Sequence, residues 1–151
     1  MSAPGGGRQQ LQELSQELQA VEEQQAEVEA NIEQLQTEKS EIDDAIEALD
    51  ALESGSTVQV PLGGGAYVRA EVQEIDEVVV TLGGGYAAER TEGGAVETLQ
   101  TKQETLDDRI EELNEELEEL EERSQQLEQQ AQQAQQQMMQ QQMQQQGDPS
   151  E

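Results

Sequence analysis

Two heptad ladders of nearly equal length, separated by a short glycine-punctuated block, constrain this chain more than any other feature of its sequence. Stepping by three and four from Leu11 reaches Leu14, Leu18, Val21, Gln25, Val28, Ile32, Leu35, Lys39, Ile42, Ile46 and Leu49, so ten of twelve seam positions are apolar. From Val96 the same step reaches Leu99, Gln103, Leu106, Ile110, Leu113, Leu117, Leu120, Ser124, Leu127, Ala131, Ala134 and Met138, apolar at eleven of thirteen. A 3.5-residue repeat held over several heptads indicates a left-handed supercoil, because only a slightly underwound helix keeps such a seam facing its partner. The simplest partner for each ladder is the other. An antiparallel hairpin with arms of about 60 to 70 Å is therefore expected, at 1.5 Å of rise per residue. Two a-to-d′ registers satisfy the apolar pattern equally well.

The composition leaves no bulky globular core. Only 32% of the 151 residues are hydrophobic, with two Tyr and neither Phe nor Trp, so the apolar material is concentrated in the seams. Thirty-five acidic residues against seven basic ones give a net charge of −28, which repels nucleic-acid phosphates and anionic membrane surfaces. Proteins are the expected partners. Lys39 and Lys102 are the two lysines, while Glu, Asp, Ala, Gly and Val abound, a balance suited to multimolar salt, where the Debye length is about 3 Å or less. Cysteine and histidine are absent, excluding disulfides and thiolate or imidazole metal sites. No segment approaches the roughly 18 apolar residues of a membrane span, and Met1–Gln10 has no apolar signal region, which favours a cytoplasmic protein.

Along the chain, residues 1–8 read as a disordered leader, 9–53 as the first helix, 54–94 as a strand block, 95–146 as the second helix and 147–151 as a tail. Ser54 and Gly55 stop the first helix. From Thr57 the apolar period falls to two: Val58, Val60 and Leu62, then Ala66, Val68, Ala70 and Val72, joined by Gly63-Gly64-Gly65. Residues 77–82 and 86–89 form a second pair around Gly83-Gly84-Gly85. Pro61 confines its strand to an edge. Two hairpins without Phe or Trp are marginal alone, and Val78-Val79-Val80 requires cover, so these strands are expected to complete a sheet or barrel with other subunits. Val58, Val60, Val68, Val78, Val79, Val80 and Tyr86 are the candidate oligomerisation residues.

No catalytic constellation can be assembled. Gly83, Gly85 and Ala88 match a dinucleotide fingerprint formally, but a strand-like segment follows where the phosphate-binding helix would have to begin. Asp43-Asp44 and Asp107-Asp108 read as solvated helix faces rather than metal ligands. No cofactor is expected. The polar seam residues Gln25, Lys39, Gln103 and Ser124 are either register pins or long side chains tolerated because they reach solvent. After Ser124 the seam thins to Ala and the sequence becomes Gln-rich, with Met138, Met139 and Met143 near its end. Exposed methionines repack against many shapes, so these three, with Leu11, Leu14 and Leu18 on the opposing arm, are the candidate residues for holding apolar segments of a client.

The layout, with Val-Gln-Val-Pro-Leu-Gly-Gly-Gly-Ala-Tyr-Val at residues 58–68 and Val-Thr-Leu-Gly-Gly-Gly-Tyr-Ala-Ala-Glu-Arg at 80–90, resembles the archaeal prefoldin alpha subunits over roughly residues 9–134. The resemblance implies an α+β fold, a long antiparallel coiled-coil hairpin whose two β-hairpins complete an intersubunit β-barrel. It further implies a heterohexamer of two alpha and four prefoldin beta subunits, an ATP-independent chaperone holding non-native proteins at its coiled-coil ends and passing them to a group II chaperonin. A purely structural coiled-coil spacer or adaptor is the alternative. A transcription factor that inserts a coiled-coil tip into polymerase fits poorly, because the closed end here carries sheets.

Overall fold

The computed structural model describes residues 5–146. Helix α1 spans Gly5–Ala51, strands β1 to β4 span Thr57–Gly63, Ala66–Glu71, Val78–Gly83 and Tyr86–Arg90, and helix α2 spans Glu92–Gln146. The chain divides into two compact units: an outer one containing α1 up to Glu33 and α2 from Glu111, and an inner one comprising Gln34–Ile110.

The seam predicted from the heptads is realised residue by residue. Each position on both ladders is buried or half-buried, including the polar Gln25, Lys39, Gln103 and Ser124, while the residues between them are overwhelmingly exposed. In the outer unit Leu14, Val21, Leu127 and Ala134 form the buried core, with Leu11, Leu18, Leu120 and Ala131 packed against it. Burying a Leu or Val side chain contributes about 1.5–3 kcal/mol, which is what holds two otherwise polar helices together. The arms run antiparallel in each unit. Glu17 meets Arg123 in the outer unit, and Lys39 and Asp43 meet Asp107 and Gln103 in the inner one.

Helix α1 begins at Gly5 rather than near residue 9, so the leader expected over residues 1–8 is helical from Gly5; its first four residues and the tail at 147–151 lie outside the described residues. Glycine costs about 1 kcal/mol in a helix interior relative to alanine, and packing across the seam accounts for its use here. Gly7 lies one seam step before Leu11, and a Cβ there would come within 2.9 Å of the Met138 side chain. The missing side chain is the hollow into which Met138 fits.

Helix α2 begins at Glu92, three residues before the expected boundary, because Thr91 caps it. The Gly94 amide donates to Thr91 Oγ1 at 3.1 Å, and the Glu92 amide donates to Asp76 Oδ1 at 3.4 Å, so amide groups of the first turn find oxygen partners.

The strands form two separate two-stranded antiparallel sheets, β1–β2 and β3–β4. Both turns use the same device. Gly64 and Gly65 have φ of 60° and 82°, and Gly84 and Gly85 have 61° and 81°, the left-handed values that a two-residue hairpin turn matching strand twist demands. The preceding Gly63 and Gly83 also have positive φ, and the register shifts beside each of them. Beyond β1 and β2 the ribbon continues through Gly55 and Ser56, whose backbones exchange hydrogen bonds with Val72 at 2.6 and 2.8 Å.

Candidate assembly and binding surfaces

The inner unit presents an apolar β surface with two distinct faces. Val60 pairs with Val68 across β1–β2, and Val58 pairs with Ala70 on the same face. Val58 and Ala70 are half-buried, but Val60 and Val68 are exposed, as is Tyr67 opposite Pro61 on the other face. In β3 the pleat separates the valine triplet. Val80, paired with Ala88, is buried at 6% exposure, and Val78 is half-buried, whereas Val79 is 69% exposed and Tyr86 75%.

Val80 is thus part of the chain's own interior. It lines an open, largely apolar groove of about 390 Å³ with Val78, Ala48, Leu49, Leu52 and Leu99, to which Val79 and Lys102 also contribute. The exposed apolar side chains of the strands are Val60, Val68, Val79 and Tyr86, together with Leu62, Tyr67 and Leu82, which the sequence pattern did not single out. Their signal was the glycine turns: a turn-flanking apolar side chain in a two-stranded ribbon has little of its own chain to pack on.

The outer unit sorts the expected client-contact residues into two groups. Leu14 is buried in the seam, and Leu11 and Leu18 are half-buried against it. Met138 is half-buried beside Gly7, where Gly6, Gly7, Gln10, Ala134, Gln137 and Gln141 complete a small hollow. Met139 and Met143, four residues apart on α2, are 61% and 72% exposed. Among the described residues of this unit, the large exposed apolar side chains are therefore methionines rather than leucines.

A polar cross-link sits in the inner unit's seam. Lys39 forms an ion pair with Asp107, and Gln103 Nε2 donates to Asp43 Oδ1 at 2.5 Å and, more weakly, to the Lys39 carbonyl at 3.4 Å. Asp43 and Asp107 are exposed, but they are arm-to-arm partners rather than the merely solvated carboxylates the sequence suggested. Among the described residues no group of three or more Asp, Glu, His or Cys side chains is placed to hold a metal ion, and no helix is long and apolar enough to cross a membrane.

Comparison with known proteins shows what this arrangement is. The family model for prefoldin subunits matches residues 21–137, taking in most of both arms and all four strands. The chain belongs to the prefoldin family. It is 64% identical over 100 residues to prefoldin subunit alpha of Halorubrum lacusprofundi, a match covering 66% of each chain. It is 60% identical over 103 residues to prefoldin subunit alpha of Halobacterium salinarum, covering 68% of this chain and 67% of that one. Both relatives come from halophilic archaea, in keeping with the acidic composition. The match to prefoldin subunit alpha of Haloarcula marismortui, 67% identical over 66 residues, spans 43% of that protein. Among solved structures, the chain resembles a subunit of a filamentous prefoldin from Methanocaldococcus jannaschii, with a TM-score of 0.66, 25% identity, and coverage of 75% of this chain and 96% of that one. The prefoldin fold of two long helices and two small β-hairpins is thus shared.

Proposed function

We propose that this chain is the alpha-class subunit of a cytoplasmic, ATP-independent holding chaperone. Two such chains join four prefoldin beta subunits through the β-hairpin faces, and the coiled-coil arms hold non-native proteins for delivery to a group II chaperonin. The observation that carries this reading is the pair of two-stranded sheets whose Val60, Val68, Val79, Tyr67 and Tyr86 are left uncovered by their own chain. Two-stranded units with exposed apolar faces gain stability by completing a larger sheet, and the high-identity relatives bear the name prefoldin subunit alpha.

Client holding is assigned to Met139 and Met143, with Met138, Leu11, Leu14 and Leu18 forming the seam that positions them. Each apolar side chain buried against a client contributes at most about 1.5–3 kcal/mol, so several arms must act together, and assembly comes before capture. No step requires a nucleotide, a metal or a nucleophile. The test is suppression of aggregation of an unfolded protein, followed by light scattering, with the chain assembled on a beta-class partner in molar KCl. Suppression by the complex supports a holding chaperone. A complex that forms and suppresses nothing supports the spacer or adaptor reading instead.

A further inference from the structure

We infer that Met139 and Met143 form an oxidation-sensitive site through which a hydroperoxide turns down client holding, and that Gly7 shields the neighbouring Met138 from the same reaction. The inference rests on the client-holding role proposed above. With no cysteine, tryptophan or histidine in the chain, methionine thioethers are its most readily oxidised groups. The structure grades three of them. Met139 and Met143 stand 61% and 72% exposed, four residues apart on one side of α2, and the residues around them are glutamines. Met138 is half-buried, its Cγ and Sδ lying over the position that a side chain on Gly7 would occupy.

In the reaction a sulfur lone pair attacks the distal oxygen of the hydroperoxide and the O–O bond breaks. The sulfur gives up two electrons and gains one oxygen, and the leaving oxygen takes the proton to depart as water or an alcohol. The product sulfoxide is polar. At Met139 and Met143 it would erase the main exposed apolar side chains described in the outer unit without touching the Leu14, Val21, Leu127 and Ala134 core. The change is reversible, since sulfoxides are substrates of methionine sulfoxide reductases.

The test treats the full chain, assembled with a beta-class subunit in molar KCl, with hydrogen peroxide. Peptide mass analysis then follows one-oxygen additions over time, and light scattering follows aggregation suppression. Met139 and Met143 should oxidise at least about fivefold faster than Met138, as exposure governs thioether reactivity. Gly7→Ala, whose Cβ would crowd Met138 out of its hollow, should bring Met138 closer to the rate of the other two. Suppression should fall as Met139 and Met143 oxidise and return on treatment with the reductases. Met139→Gln with Met143→Gln should give a complex whose remaining suppression no longer responds to peroxide. Equal rates at all three methionines would overturn the shielding. Undiminished suppression after oxidation would overturn the switch if the double Gln variant holds clients poorly; if that variant holds them normally, the placement of client capture at these methionines fails with it.

Discussion

Lys39 of α1 forms an ion pair with Asp107 of α2, and the reciprocal link runs from Gln103 of α2 to Asp43 of α1. Each polar seam residue thus reaches the carboxylate four residues beyond the other, as an antiparallel pair of helices allows. The Lys39 and Asp107 side chains are 33% and 55% exposed, so their pairing contributes on the order of 0–1 kcal/mol, and less in molar salt. Its effect is on alignment. Sliding one arm by a heptad would set Lys39 and Gln103 against leucines or isoleucines, with their partners out of reach. Replacing both Lys39 and Gln103 with Leu should therefore raise the thermal midpoint while making amide exchange along the arms more heterogeneous. A lower midpoint would show that the cross-link is needed for stability itself.

The valines of β3 can be separated by mutation. Val80→Asp places a carboxylate in the chain's own interior, where an unpaired charge costs several kcal/mol, so the isolated chain should melt earlier. Val79→Asp adds a charge at an exposed position and should leave the isolated chain's melting within about 0.5 kcal/mol of the parent, yet block assembly with a beta-class subunit. Circular dichroism and native mass measurement distinguish the two; normal assembly by Val79→Asp would remove β3 from the interface.

The pleat explains why this distinction escaped the sequence. Three consecutive valines give no alternation of apolar and polar residues, so the pattern placed Val78, Val79 and Val80 together, and only the pairing of Val80 with Ala88 and of Val79 with Glu89 tells inward from outward. The seams were legible throughout because eighteen of their residues are Leu, Ile or Val at strict spacing. Gly7 was not, since a glycine reads as a helix breaker until the side chain opposite, Met138, is seen to need the space. Asp43 and Asp107 look like every other carboxylate on these acidic arms, and their partners lie about sixty residues away along the chain.

The turn glycines give a conformational prediction free of packing effects. A Cβ on Gly64 would meet nothing within 4 Å, but its φ of 60° is costly for a residue with a side chain. Gly64→Ala should therefore destabilise the inner unit by about 1–2 kcal/mol, and Gly64→Asn by less, because Asn tolerates left-handed backbone. Equal losses from both, read by urea unfolding, would mean the turn is not held in this conformation in solution.

Salt should govern the arms. Eight glutamates between Glu111 and Glu122 crowd one stretch of α2 in a chain of net charge −28, and their mutual repulsion is relieved only when screening shortens its range to a few ångströms. The thermal midpoint followed by circular dichroism should rise steeply between 0.1 and 3 M KCl, in proportion to no single ion pair. A flat response would contradict the reading of this acidic composition as an adaptation to multimolar salt.

The central claim is that the uncovered β-hairpin faces assemble this chain with beta-class subunits, and the native mass of the mixture tests it most directly. The purified chain is combined with a beta-class prefoldin subunit from a halophilic archaeon in 3 M KCl, and the mass is measured by light scattering on the eluting complex. A single species containing two copies of this chain and four of the partner is expected, lost on Val79→Asp. Separate elution of the two proteins, each at the mass it shows alone, would contradict the account.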